Sequence, residues 1–177
     1  MQTRLVSSLA RIYDWDINWC LRFNRTSHIT SIRIFFRTIS RLGDGVFWYT
    51  LMLMMLLFDG KAALHAVVQM VLTGLTCTLI YKWLKAKTLR PRPFQLRQDI
   101  FCAAAPLDQF SFPSGHTLHA VAFSIVALVY YPMLAWLLIP FTLLVAASRL
   151  ILGLHYPSDV LAGATIGVII ASLSFCF

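Results

Sequence analysis

The sequence predicts an all-α fold, namely a polytopic membrane helix bundle with about five transmembrane helices plus N-terminal interfacial amphipathic helices. Two observations support this class. Hydrophobic residues make up 59% of the 177-residue chain and charged residues only 12%, a balance that is unusual in soluble globular domains. The apolar residues are also gathered into runs that approach the roughly 20 residues needed to cross a hydrocarbon core. We therefore expect a membrane-embedded domain.

Five apolar runs are the candidate spans. The first is short, so we expect it to extend into the upstream stretch IFFRTISRL or to lie among tilted helices. The other four have the apolarity and approximate length of ordinary spans. The five runs cover residues 44–58, 62–83, 114–131, 134–153 and 157–177.

Residues 1–43 are predicted to form interfacial helices rather than a span. Arginines recur at every fourth position from Arg33 to Arg41, whereas apolar side chains occupy the opposite side of the same helix. This pattern is typical of a helix in the headgroup layer, and three arginines in a crossing segment would be costly. Residues 3–24 show a similar but less regular pattern. The transmembrane core is accordingly assigned to residues 44–177.

The connections between the predicted spans differ in polarity. Two short turns, DGK at 59–61 and YPM at 131–133, contain almost no reactive side chains. The segments 85–116 and 148–159 contain the polar residues of chemical interest. If successive helices alternate in direction, both segments meet on one side of the membrane. We expect the active site on that side.

Three spaced motifs occur in these two segments. They read K-x6-RP from Lys85 to Pro93, PSGH at 113–116, and SR-x5-H-x3-D from Ser148 to Asp159. Together they resemble the signature motifs of the type 2 phosphatidic acid phosphatase family, membrane relatives of the vanadium haloperoxidases. The joint match is specific, whereas each motif alone would be weak. Many members of that family have six spans, whereas five are expected here.

Five residues in these motifs suit a phosphate-binding site. Phosphoryl transfer depends mostly on positioning and on stabilising charge at the non-bridging oxygens. Lys85, Arg92 and Arg149 supply positive charge, arginine as a planar fork and lysine as a point charge. Ser114 is expected to cap the following helix, and Gly115, having no side chain, lets the exposed N–H groups approach an anion closely.

Two histidines share the chemical work in the mechanism that the resemblance implies. His155 attacks phosphorus and forms a phosphohistidine, while Asp159, four residues later, lies within reach of the other ring nitrogen. His116 protonates the leaving alkoxide and then accepts a proton from the attacking water. Spacing alone would allow the reverse assignment of the two histidines. The carboxylate partner favours His155 as the nucleophile.

Several other polar residues are assigned structural roles. His119 lies outside the three motifs, so we expect it to pack between helices or to support the site from behind. His65 and Gln69 lie four residues apart in the second predicted span, and hydrogen bonding between helices is favoured over a pocket role. Asp99 and Asp108, in the long connection, are expected to be solvated or to cap a helix.

Other kinds of site are compatible with parts of the pattern. A zinc site could be formed by His116, His119, His155 and Asp159. Three converging cations would repel a divalent ion, so we expect metal-independent activity and no cofactor. The alternative of another class is a non-enzymatic anion-binding or lipid-binding membrane protein, which would need no nucleophile with an orienting carboxylate. A haloperoxidase fits poorly, because a site among apolar helices suits a lipid substrate.

The predicted substrate is a lipid with a terminal phosphate or diphosphate, whose tail stays in the bilayer. The bacterial members of the family hydrolyse polyprenyl diphosphates, phosphatidylglycerophosphate and phosphatidate, and the small size of the chain is typical of them. Undecaprenyl diphosphate is the first hypothesis, and phosphatidylglycerophosphate or phosphatidate is the alternative. The expected location is the bacterial inner membrane.

The net charge of +8 requires no nucleic acid partner. The cations lie beside apolar runs, which suits anionic headgroups and a phosphorylated substrate. In the five-span arrangement Lys61 is the one basic residue opposite the active face, so the positive-inside rule turns that face to the cytoplasm. Bacterial relatives more often work on the outer side. Either the active face is cytoplasmic or the span count is wrong by one, and the sequence leaves the oligomeric state open.

Overall fold

The regular structure of the chain is helical. A computed structural model describes residues 2–176, with side chains described from residue 11 onward, and within this range the predicted all-α fold is confirmed. The α-helices are α1 Gln2–Arg25, α2 Thr30–Arg41, α3 Phe47–Asp59, α4 Leu64–Thr88, α5 Pro93–Leu96, α6 Gly115–Tyr130, α7 Ala135–Ile151 and α8 Pro157–Leu173.

The helices include segments of membrane-spanning length. Two segments of the described chain are long and apolar enough to cross a membrane, Thr30–Leu96, which contains α2 to α5, and Pro132–Ile151. The apolar helices α6 and α8 are shorter, with 16 and 17 residues. The five predicted spans correspond to α3, α4, α6, α7 and α8. The helix bundle is thus the architecture observed, and the number of spans stays a prediction.

α2 and α3 are joined by a kinked turn, Leu42–Val46. Gly45 within this turn has φ 136°, a conformation that favours glycine. The short first predicted span is therefore preceded by a separate helix, α2, on the other side of this kink. α2 also packs along α7, and its Ser40 is buried. The assignment of residues 1–43 to the interface stays a prediction.

α6 is the central helix of the bundle and contacts α4, α7 and α8. Its contact with α8 is close, because a Cβ atom at Gly163 would lie 2.5 Å from the Ser114 carbonyl oxygen, and one at Gly167 would lie 2.6 Å from that of Leu118. The Ser114 N–H donates to the Asp159 carbonyl at 3.0 Å. The PSGH motif and the start of α8 are thereby held together.

Side chains of α1 form hydrogen bonds to the connections at the end of the bundle where the PSGH motif lies. Buried Asp16 accepts the backbone N–H of Ser158 at 2.9 Å. Buried Asn24 donates to the carbonyl groups of Phe101 and Ile151 at 2.9 and 3.0 Å. The segment between α4 and α6 and the turn between α7 and α8 are therefore both tied to the same N-terminal helix.

The opposite end of the bundle contains the short turns. Gln69 of α4 donates to the Ser174 carbonyl at 3.0 Å and accepts from the hydroxyl of Tyr130, at the end of α6. The predicted hydrogen bonding of Gln69 between helices is therefore confirmed. His65 lies against the Tyr130 ring, with centroids 5.6 Å apart. These contacts place the ends of α6 and α8 beside the start of α4, away from the three motifs.

Candidate active site

Most of the predicted site residues line one cavity of about 720 Å³. Of the eight residues, Ser114 and Asp159 are buried behind the wall and do not line it. The other six come from distant parts of the chain: from α4, α6 and α7, from the segment between α4 and α6, and from the turn between α7 and α8. The six lining residues are Lys85, Arg92, Gly115, His116, Arg149 and His155.

Three buried cations form the polar end of this cavity. Lys85 is 6%, Arg92 1% and Arg149 2% exposed. Arg92 Nη1 donates to the Leu154 carbonyl at 2.7 Å, and Arg149 Nη1 donates to the hydroxyl of Ser40. Arg149 Nε is buried without a hydrogen-bond partner among the described residues. Since a buried donor left unpaired is costly, an anion in this cavity would be stabilised by accepting from it.

The Asp108 carboxylate accepts hydrogen bonds from two of the three cations at this end of the cavity. Asp108 is partly solvated, as predicted, with its side chain 37% exposed. The sequence did not predict its partners: both carboxylate oxygens accept from Lys85 Nζ at 2.7 Å, and Oδ1 accepts from Arg92 Nη2 at 2.8 Å. Burial raises its pKa, but the hydrogen bonds and charges of Lys85 and Arg92 outweigh burial and hold the pKa below its usual value. The carboxylate takes positions that phosphate oxygens would take. Asp99 is solvated, as predicted, and pairs with Arg97 at 2.7 Å.

His155 lies in the turn after α7 and is 1% exposed. Its Nδ1 lies 3.6 Å from Asp159 Oδ2, slightly beyond hydrogen-bond length, and its Nε2 lies 3.4 Å from Arg92 Nη1. Burial, followed by the charges of Arg149, Arg92 and Lys85, holds the pKa of His155 well below its usual value. The ring is therefore neutral at neutral pH and keeps a lone pair for nucleophilic attack.

Arg90, which the motif analysis did not single out, holds Asp159 in place. Its Nη1 donates to Asp159 Oδ1 at 2.6 Å and its Nη2 to Asp16 Oδ2 at 2.7 Å. The guanidinium also lies 4.1 Å from the centroid of the Tyr156 ring. The other oxygen of Asp159 accepts the Tyr156 backbone N–H at 2.9 Å. Only the position of Arg90 within KAKTLRPRP could have indicated this role, since Asp16 lies in no motif.

Ser114 precedes the first residue of α6, as predicted for a cap, but its side chain does not cap the helix. The hydroxyl is hydrogen-bonded to that of Thr117 at 3.0 Å instead of accepting a backbone N–H. Gly115 lies against Tyr81, whose ring would be 3.5 Å from a Cβ atom at that position. The start of α6 therefore faces the cavity through its backbone and through the side chain of His116.

The two histidines of α6 have different surroundings. His116 Nε2 is hydrogen-bonded to Asp44 in the turn between α2 and α3. His119 instead contacts the Gly115 carbonyl at 2.8 Å and the Thr78 hydroxyl at 3.1 Å, which agrees with the predicted packing role. Within residues 2–176, no three His, Cys, Asp or Glu side chains form a group that could hold a metal ion.

The cavity continues from its cationic end into an apolar groove between α3 and α4. Trp48 and Met52 line the groove from α3, Val71 and Leu75 line it from α4, and Phe123 of α6 also lines it. The combination of charge at one end and apolar side chains at the other matches an amphiphilic anion with a hydrocarbon tail.

The fold and this cavity define a membrane helix bundle with an anion-binding pocket that opens onto an apolar groove. A family model described as the PAP2 superfamily matches residues 62–177. The chain therefore belongs to the PAP2 superfamily, which confirms the resemblance carried by the three motifs.

Curated relatives and solved structures agree with this assignment. The chain is 33% identical over 130 residues to the undecaprenyl-diphosphatase BcrC of Bacillus subtilis, a match that covers 73% of this chain and 67% of the relative. It is 25% identical over 155 residues to an undecaprenyl-diphosphatase of Sulfolobus acidocaldarius, covering 87% of this chain and 73% of the relative.

Two solved structures share the fold. The crystal structure of LpxE from Aquifex aeolicus is similar at a TM-score of 0.79 and 26% identity, covering 92% of this chain and 96% of that chain. The PAP2-type phosphatidylglycerolphosphate phosphatase of Bacillus subtilis is similar at a TM-score of 0.75 and 23% identity, covering 94% of this chain and 86% of that chain. The transmembrane PAP2 architecture thus extends over nearly the whole chain.

Proposed function

We propose that this protein is a membrane lipid phosphatase that hydrolyses a terminal phosphate or diphosphate through a phosphohistidine intermediate. The observation that carries the proposal is the cavity, in which three cations and two imidazoles from three separate motifs lie at the head of an apolar groove. Membership of the PAP2 superfamily supports it as well. Undecaprenyl diphosphate is the proposed substrate because both curated relatives described above carry that activity in their names.

In the first step, the terminal phosphoryl group takes the place of the Asp108 carboxylate and accepts from Lys85, Arg92 and Arg149. The neutral Nε2 of His155 attacks phosphorus, and the bond between phosphorus and the leaving oxygen breaks. His116 gives its proton to that oxygen. The products are the dephosphorylated lipid and a phosphohistidine.

In the second step, water hydrolyses the phosphohistidine. His116, now neutral, accepts a proton from the attacking water, while the bond from phosphorus to His155 Nε2 breaks and inorganic phosphate leaves. Asp159 stabilises the positive charge on the phosphorylated ring through Nδ1, which lies 3.6 Å from Oδ2 in the free protein. Arg90 keeps the carboxylate pointing at the ring.

The proposed reaction is metal-independent. Lys85, Arg92 and Arg149 supply the positive charge that a divalent ion provides in many other phosphatases, and their own charge repels such an ion. We expect phosphate release to be unchanged by a chelator. Loss of turnover in chelator that zinc restores would contradict this part of the proposal.

The surroundings of the site support a bilayer substrate. The proposed location is the inner membrane of a bacterium, where the apolar groove would hold the lipid tail and the basic residues at the active end would contact anionic headgroups. Phosphatidylglycerophosphate or phosphatidate stays the alternative substrate, since the cationic end suits any lipid with a terminal phosphate.

The decisive experiment measures inorganic phosphate released by the detergent-purified protein from a panel of undecaprenyl diphosphate, phosphatidylglycerophosphate and phosphatidate. The wild type should release phosphate fastest from undecaprenyl diphosphate, and vanadate should inhibit it as a mimic of pentavalent phosphorus. His155→Ala should abolish release but keep lipid binding, whereas Lys87→Ala, at an exposed position of α4, serves as the matched control. Binding without release by the wild type would favour the non-enzymatic alternative.

A further inference from the structure

His116 has a carboxylate partner that lies outside all three motifs. Its Nε2 is hydrogen-bonded to Oδ1 of Asp44, which precedes the residues matched by the family model. Nδ1 of the same ring makes no hydrogen bond to any residue that the structure describes. One ring nitrogen is therefore occupied by a fixed acceptor, and the other is left for the substrate.

The turn between α2 and α3 is built to bring Asp44 to this position. The turn Leu42–Val46 is a kink between two helices, and its residue Gly45 has a non-helical backbone conformation. Gly43 lets the backbone approach closely, because a Cβ atom there would lie 3.2 Å from Val145 and 3.8 Å from the His116 ring. Gly45 takes the positive φ that ends the turn.

The same turn contributes to the charge of the cavity. Asp44 lines both the main cavity and a neighbouring cavity of about 500 Å³, and His116 and Arg149 also line both. Three charged or titratable groups act on the His116 ring, namely Asp44 from this turn, Arg149 from α7 and His119 from α6 itself. Asp44 is the one anion of the three, so it alone attracts a protonated imidazole.

We propose that Asp44 is a positioning residue that acts through His116. The Asp44 carboxylate accepts a hydrogen bond from His116 Nε2–H, so that the ring exchanges protons with the substrate and with water through Nδ1. The inference rests on the proposed function. In the first step, the Nδ1–H proton passes to the leaving oxygen as its bond to phosphorus breaks, and the ring becomes neutral with Nε2–H still held by Asp44. In the second step, the Nδ1 lone pair takes a proton from water, which restores the starting state.

The test compares leaving groups. A lipid phosphomonoester such as phosphatidate has an alkoxide leaving group that needs a proton, whereas p-nitrophenolate leaves readily without one. Asp44→Asn should lower the single-turnover rate on phosphatidate about 10- to 100-fold, the size of effect typical for losing the hydrogen-bond partner of a functional side chain. The burst of p-nitrophenolate from p-nitrophenyl phosphate should stay close to the wild-type burst. Asp99→Asn, which alters an exposed carboxylate paired with Arg97, is the matched control and should behave as wild type.

A second arm excludes a general structural defect. If Asp44 acts through His116, adding Asp44→Asn to His116→Ala should cause no further loss, because the two residues work as one unit. Additive losses, equal losses on both substrates, or full lipid turnover by Asp44→Asn would each overturn the inference. A wild type that releases no phosphate from any lipid would instead overturn the proposed function, and this inference with it.

Discussion

Single residues determine how strongly the cavity binds an anion. Asp108 is paired with Lys85 and Arg92, so part of the positive charge is neutralised while no substrate is bound. A phosphate must displace the Asp108 carboxylate, and the negative charge of Asp108 repels the negative charge of the phosphate. Asp108 therefore weakens phosphate binding in the resting protein and would also favour release of the product.

Replacing Asp108 should tighten anion binding. Asp108→Asn removes the competing negative charge at nearly constant shape, so we expect vanadate and inorganic phosphate to inhibit at roughly tenfold lower concentration, equivalent to about 1.4 kcal/mol. The inhibition constants of wild type and variant measure this, with Asp99→Asn as the control. Weaker inhibition of Asp108→Asn would mean that the carboxylate is needed to hold Lys85 and Arg92 in place.

Arg90 is expected to matter for stability, because it pairs with two fully buried carboxylates, Asp16 and Asp159. Arg90→Ala leaves both charges buried and unpaired, a change that typically costs about 3–5 kcal/mol. Thermal unfolding in detergent should show a clear loss relative to Lys87→Ala. Adding Asp16→Asn to Arg90→Ala should recover part of it, and an unfolding temperature equal to that of the control would contradict the role.

The residues of the site differ in how far the sequence could predict them. The motif residues Lys85, Arg92 and His155 have fixed spacing and chemically distinctive side chains, so the motifs were sufficient to single them out. Asp44 and Asp108 act through contacts made 72 and 23 residues away along the chain. No periodicity or local spacing encodes such contacts, because they arise only when the helices are packed.

At the level of helices, hydropathy located the apolar segments but not where helices end. α4 continues to Thr88, beyond the predicted end at 83, because lysines are good helix formers and can extend to the headgroup layer. The first span was predicted to start at 44, whereas α3 starts at Phe47, after the kink Leu42–Val46 that separates it from α2. Hydropathy responds to side-chain polarity, whereas backbone hydrogen bonds decide the continuity of a helix.

The contact between α6 and α8 should tolerate no added atoms at Gly167. A Cβ atom there would lie 2.6 Å from the Leu118 carbonyl oxygen and 3.2 Å from Val121 Cβ. Gly167→Ala should therefore destabilise the protein by about 1–3 kcal/mol, as overpacking of a well-filled core does. Val168→Ile, which adds one methyl group on the exposed side of α8, is the control in thermal unfolding. Equal unfolding temperatures would show that the helices can move apart at little cost.

The whole molecule has two chemically different ends. The active end carries the long connections and is tied to α1 through Asp16 and Asn24. The other end carries the turn after Asp59 and the C-terminal residues that contact Gln69. The 25 residues of α4 extend about 37 Å at 1.5 Å per residue, which exceeds the roughly 30 Å of a hydrocarbon core. The two ends are therefore far enough apart to lie in different aqueous compartments.

Labelling of single cysteines should place these two ends on opposite sides of the membrane. In a background with Cys102→Ser and Cys176→Ser, Asp59→Cys and Asp99→Cys both introduce exposed thiols, one at each end of the bundle. A membrane-impermeant maleimide applied to intact cells should label one of the two, and permeabilised cells should label both. The thiol labelled from outside identifies the outward end of the bundle. The positive-inside rule predicts that the basic active end faces the cytoplasm, so that Asp59→Cys is the thiol labelled. Equal labelling of both in intact cells would contradict a bundle that separates its two ends across the bilayer.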